Sequence, residues 1–279
     1  MLGTAFPAAR LVLVEQPFPW GPEGLRTSRF DPATALALEA RGRAAGVRIQ
    51  AIRRLGRTPV GATRSWAAVD TRGDTPTVRW GKFTEDAELL EVPLDGSPGV
   101  PDPDPLYLVC THGRHDPCCG QRGHAVAAAL AALRPDRVWQ SSHLGGCRFA
   151  PTVLVLPLGL MYGRVDADDA EEFIAAAEAG EVVGAHLRGR IGIPPPAQAG
   201  LSFAHEHLGL SRRQDVSLVS TTPASDGASV RVRVDSPAGQ FDITVERHRV
   251  DAAGLTCGSP GPSWFVAHRP VAIAAVDET

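Results

Sequence analysis

The chain has 279 residues, 43% hydrophobic and 21% charged, which is ordinary globular composition, long enough for two domains, and excludes a disordered or fibrous chain. A net charge of −3, with no basic stripe interleaved with aromatics, argues against a nucleic-acid partner. The opening MLGTAFPAAR has no basic start ahead of an apolar run, and no stretch approaches about 18 consecutive apolar residues, so no membrane segment is expected.

In chain order, residues 9–15 (ARLVLVE) are a short buried strand closed by Gln-Pro. Asp31-Pro32 supply an N-cap and a first-turn proline for a helix to about residue 43, with Gly46 just past its end. Residues 47–53 alternate apolar and basic side chains as a strand does. Residues 64–70 and 77–83 form a hairpin about Arg72-Gly73-Asp74, and 84–90 a short helix. Residues 93–105 (PLDGSPGVPDPDP) read as a linker, too rich in Pro and Gly to sustain a helix.

A second series follows: a strand at 106–110, a helix from about 120 to 133, strands at 137–141 and 152–157, an extended piece at 161–165 and a helix at 166–179. After Arg190, IGIPPP marks another break. The rest reads as an α+β extension: a helix at 197–208, then strands at 216–220, 229–235, 240–248 and 264–268. It carries no chemistry of its own and is expected to cover a sheet edge or form a subunit contact.

Four of the five cysteines, Cys110, Cys118, Cys119 and Cys147, fall within residues 106–164. Odd in number and clustered, the cysteines fit a reducing compartment better than a disulfide scaffold, so a cytoplasmic protein is expected. Eight residues lie between Cys110 and Cys119, seven between Cys110 and Cys118, and three between His143 and Cys147, so two loops each offer a ligand pair. Thiolate and imidazole are the ligands of zinc and of iron–sulfur clusters. Gly145 and Gly146, between His143 and Cys147, let backbone come close to a bulky inorganic group and adopt positive φ. Spacing alone leaves zinc and an iron–sulfur cluster both open, since the tight C-x-x-C knuckle of common zinc modules is absent.

CTHGRHDPCCG, followed by a helix and then VWQSSHLGGCRFAPTVLVLPLGLMYGR, resembles the signature of the sucrase/ferredoxin-like family, and WGPEGL at 20–25 is similar to that family's N-terminal segment. The resemblance implies a thioredoxin-like 2Fe-2S ferredoxin domain. It implies that Cys110, Cys119, His143 and the residue at 147 hold the cluster. The family usually has a second His at that last position; this chain has Cys147, giving Cys3His ligation. Exchange of one thiolate for a neutral imidazole places the expected reduction potential between those of four-Cys and two-His centres. The resemblance also includes Arg148, a cation beside the cluster, with Arg114 able to act likewise from the first loop.

With this resemblance, the repeated β-α-β-β-β-α order is read as an α/β chain of two thioredoxin-like halves, 1–95 without a cluster and 104–190 with it, followed by the extension at 197–279. The first half contains no cysteine. Cys118 is expected as a small thiol beside a ligand and Cys257 as a packed residue, while His112 and His115 are expected to be solvated or hydrogen-bonded in a polar turn. His205 and His207, two apart on a helix, face different sides and make no metal pair.

The expected function is electron transfer or redox sensing with an unidentified redox partner protein. Two alternatives stand beside it: a structural zinc-binding interaction module on the same four residues, and a thiol oxidoreductase using Cys118 and Cys119 with His143 as proton donor. Glycoside hydrolysis is not supported, because the acidic residues are scattered or gathered in DADDAEE at a helix start, where they serve the helix dipole.

Overall fold

A strand in mid-sheet must be apolar on both faces, and β1 (Arg10–Glu15), RLVLVE, meets that requirement. Leu11 and Leu13 enter the core on one face of the sheet, Val12 and Val14 the core on the other. The computed structural model describes residues 1–276 except 57, 60, 226 and 258–260.

From β1 the chain passes through α1 (Pro32–Ala44), which Asp31 caps by accepting from Thr34 N at 2.7 Å. It returns in β2 (Val47–Arg53), parallel to β1. β3 (Arg64–Asp70) then pairs antiparallel with β1, and β4 (Thr77–Phe83) antiparallel with β3. Residues 86–90 form a 3-10 turn rather than an α-helix. The Pro-rich segment at 93–105 contains a two-residue edge strand, β5 (Val100–Pro101), on β4. It is also clamped: Asp102 accepts from Arg137 Nη1 at 2.9 Å and from Trp80 Nε1 at 2.8 Å.

The second series repeats the pattern. β6 (Leu106–Cys110) leads through α2 (Pro117–Leu133) to a parallel β7 (Val138–Ser141). β8 (Thr152–Leu156) pairs antiparallel with β6, and β9 (Leu160–Gly163) with β8. α3 (Ala170–Glu178) follows, and then an edge strand that periodicity did not indicate, β10 (Leu187–Arg190).

These strands form one mixed sheet in the order β10-β9-β8-β6-β7-β2-β1-β3-β4-β5. Antiparallel pairing of Ile52 with Ser141 and Arg53 with Gln140 joins the two series. On one face α1 covers the first series and α2 and α3 the second, over separate cores. On the other face a single core runs across the junction, containing Leu11, Leu13, Leu106, Leu108, Trp139 and the three free cysteines. The two series share one sheet and one core, and pairing of β2 with β7 leaves neither with an open edge at that point.

Beyond residue 190, α4 (Pro195–Leu208) packs on a four-stranded antiparallel sheet of β11 (Ser217–Pro223), β12 (Ser229–Ser236), β13 (Gly239–Ala253) and β14 (Pro262–Ala275). Buried Gln198 ties this unit to the N-terminal segment, accepting from Ala5 N at 3.0 Å and donating to Ala5 O at 3.1 Å. β13 and β14 far exceed the strands expected from alternation. β12 stops pairing at Glu246, so residues 248–253 and 262–267 continue as a two-stranded arm.

Candidate metal centre

Cys110 is the last residue of β6, held in register with β7, and the chain turns away as Thr111 N donates to Ser141 O. α2 lies directly over this point because Gly123 has no side chain; a Cβ there would run into the Cys110 carbonyl. α2 begins at Pro117, three residues before the expected start, since Asp116-Pro117 repeats the Asp-Pro signal of α1. Cys119 therefore sits in its first helical turn, buried. Cys147 opens a one-turn 3-10 helix after Gly145 and Gly146, whose φ values are 89° and 70°.

Cys110, Cys119 and Cys147 are free thiols, each at most 2% exposed. All three belong to one core, and Cys119 interacts with both of the others. His143 Nδ1 lies 3.5 Å from Cys147 Sγ, so all four candidate ligands form one connected group. The hydrogen bond from Cys119 brings Cys110 down to about 7 against the opposing effect of burial. Cys119 is pushed up by its hydrogen bonds to Cys110 and Cys147 and by burial. His143 falls to about 4, through burial and then the neighbouring His115 and Arg48.

The two histidines assigned to a polar turn do more than that. His112 is buried, and its ring bridges two segments: Nε2 donates to Gly21 O at 2.7 Å, which leaves Nδ1 to accept from His143 N at 3.1 Å. The N-terminal WGPEGL segment is thus fastened to the ligand loop through one imidazole, with Trp20 edge-on to it at 5.8 Å. His115 contacts Pro22 O at 3.2 Å, and its ring centroid is 3.8 Å from that of His143. The ligand atoms of His115, His143 and Cys147 lie within 4.8 Å of one another.

Two guanidiniums flank the thiols, Arg188 buried and Arg48 half-buried, and neither was indicated by the sequence. Arg188, 1% exposed, donates to Gly145 O at 2.8 Å and Thr4 O at 2.6 Å. Burial lowers it to about 10, with Cys147, Cys110 and Cys119 acting in the opposite direction. Arg48 donates to His143 O at 2.7 Å and to Gln50 Oε1 at 2.8 Å, and Gln50 in turn holds Ser142. Among the described residues neither cation pairs with a carboxylate. A desolvated cation is costly without a counter-charge, and for Arg188 the three cysteine sulfurs are the groups that act against that cost.

Arg148 instead stacks between the rings of Phe149 and Phe265, at 4.5 and 4.2 Å. Arg114 is exposed, on a groove with Trp20, Arg53 and Gln121. Cys118 and Cys257 depart most from expectation: they form a disulfide across 139 residues of chain, so Cys118 is neither a free thiol nor the partner of Cys119. Spacing cannot show this pairing, because the folded arm alone brings Cys257 to the ligand loop. No helix among the described residues is long and apolar enough to cross a membrane.

The sequence model of the sucrase/ferredoxin-like family matches residues 3–189. Part of the chain is similar to the solved structure of a thioredoxin-like 2Fe-2S ferredoxin from Aquifex aeolicus, with 24% identity over 33% of this chain and 96% of that one and a TM-score of 0.29. Two cysteine-to-serine variants of that ferredoxin are similar at 25% and 20% identity, each over 30% of this chain and 96% of theirs, with TM-scores of 0.27 and 0.26. No curated protein matches the chain.

Proposed function

Because the chain belongs to the sucrase/ferredoxin-like family, we propose that it is an electron-transfer or redox-sensing protein holding one 2Fe-2S cluster through Cys110, Cys119, His143 and Cys147. The observation that carries this reading is the donor set: three buried free thiols in one core, Cys119 interacting with each of the other two, with an imidazole at their edge. Sulfur and imidazole are the donors such clusters take. The carboxylate-free guanidiniums of Arg48 and Arg188 suit a centre of net negative charge. When bound, the cluster would accept and release one electron.

The chain's own residues keep that site fixed. β6 and the first turn of α2 set Cys110 and Cys119, while Arg188 holds the Gly145 carbonyl and His112 and Arg48 hold the two ends of the His143 peptide unit. Ligands anchored in this way reorganise little when charge changes, which favours transfer of an electron over bond-making chemistry. The same reading treats 1–95 and 104–190 as two thioredoxin-like halves, of which only the second holds a cluster, and 197–279 as an α+β extension. The repeated strand order and directions support it. A redox partner protein in the cytoplasm would complete the exchange.

A structural zinc site is the second reading, favoured by the grouping of His115, His143 and Cys147. Metal and acid-labile sulfide analysis of protein purified without air separates the two. Visible absorbance with equimolar iron and sulfide is expected. Colourless protein with zinc replaces the first reading by the second, and protein without either metal overturns both.

A further inference from the structure

The Cys118–Cys257 bridge joins the residue next to candidate ligand Cys119 to the tip of the β13–β14 arm. We propose that this bridge is a thiol-reducible latch whose opening frees the arm from the ligand loops. Three features support it.

Among the described residues the arm is a two-stranded ribbon with no third strand beyond residue 247, and such a ribbon has little stability of its own. It carries exposed Trp264 and Val266. Its fastenings to the site include the bridge, the hydrogen bond from Cys257 N to Asp116 Oδ2 at 3.2 Å, and Phe265 over Arg148 at 4.2 Å.

The second feature is Asp116, 1% exposed, whose Oδ1 lies 3.1 Å from Cys118 Sγ. That sulfur has no hydrogen while it is bridged, so a desolvated carboxylate oxygen faces a group that cannot donate to it. Reduction supplies the missing S–H donor. The local geometry therefore suits the dithiol at least as well as the closed bridge, unlike a bridge whose only role is to staple.

Access is the third feature. Cys257 is exposed and Cys118 half-buried, so an external dithiol meets the Cys257 sulfur first. Its thiolate attacks Cys257 Sγ, the S–S bond breaks, and Cys118 Sγ leaves with the electron pair and takes up a proton. The second sulfur of the reagent then attacks the mixed disulfide and releases Cys257, which is protonated in turn. The dithiol loses two electrons and closes to a cyclic disulfide, while the chain gains two thiols. With the arm released, Asp116 and Arg148, each next to a ligand-bearing turn, lose their contacts with it, which changes the surroundings of the cluster. That consequence for the cluster rests on the reading above; the latch itself does not.

The test uses the full chain, as purified, with dithiothreitol as the dithiol under native conditions. Iodoacetamide is expected to modify Cys118 and Cys257 only after the dithiol, with amide exchange in 248–253 and 262–267 then rising about tenfold or more. Cys257→Ser and, independently, Cys118→Ser should show the fast exchange from the start and ignore the dithiol. A bridge that resists the dithiol, a bridge that opens with no change in arm exchange, or free thiols at both positions in air-equilibrated protein would each overturn the latch. These readouts need no iron. A chain that lacks iron but opens on reduction defeats the cluster reading alone, and an iron-loaded chain with an inert bridge defeats the latch alone.

Discussion

Arg188 fills the space that a side chain on Gly146 would need: a Cβ there would lie 2.7 Å from the guanidinium carbon, on a backbone with φ of 70°. Gly146→Ala should therefore displace Arg188 as well as strain the turn, at a cost of about 1–3 kcal/mol in urea unfolding, with loss of bound metal. Gly145 has positive φ but open space around it, so Gly145→Ala should cost less and retain metal. Equal losses in the two variants would show that Arg188 has no part in the effect.

Arg188→Met keeps much of the side-chain volume and removes the charge. The Gly145 and Thr4 carbonyls lose their donor, which costs about 1–3 kcal/mol. A fixed cation beside a centre that becomes more negative on reduction favours the reduced form, so the reduction potential should fall in this variant. A potential that is unchanged or higher, measured by redox titration of the visible spectrum, would remove Arg188 from the electrostatics of the site.

Cys147→His puts a second imidazole where the family usually carries one. Replacement of a negative ligand by a neutral one should raise the reduction potential while iron and sulfide stay bound. Cys118→Ser, by contrast, should leave the iron content unchanged, because the Cys118 sulfur is committed to Cys257. Iron lost from Cys118→Ser but kept in Cys147→Ser would contradict the ligand set.

The Pro-rich segment should show an acid-sensitive clamp. Burial opposes ionisation of Asp102, but hydrogen bonds and charge from Arg137, with help from Trp80, hold its carboxyl below the usual value of 3.8. A depressed carboxylate contributes stability that is present above its unfolded pKa and lost as pH falls through the folded one. Asp102→Asn should thus be less stable than the parent at pH 7, and the difference should shrink as pH drops below about 3.8. Trp80, stacked on Trp139 at 5.4 Å, reports the change by fluorescence.

Local chemistry determined much of this molecule before any fold was known. Alternation placed β2, a turn signal β3 and β4, and an apolar run β6 at their observed bounds, and Asp31-Pro32 started α1, because those signals act between near neighbours in sequence. Residue type and spacing pointed to ligand pairs in two loops, and the family resemblance singled out Cys110, Cys119, His143 and Cys147, which the structure gathers into one group. Asp116-Pro117 was equally legible, but the cysteines after it drew the helix start downstream.

Tertiary structure alone decided the joining of the two strand series through β2 and β7, the cations beside the thiols and the Cys118–Cys257 bridge. Arg48 lies 95 residues from the His143 it holds, and Cys257 lies 139 residues from Cys118. Contacts at such separations depend on which sheet edges meet and where an arm folds back. No local propensity encodes that, because the burial that favours it exists only once the whole sheet has formed.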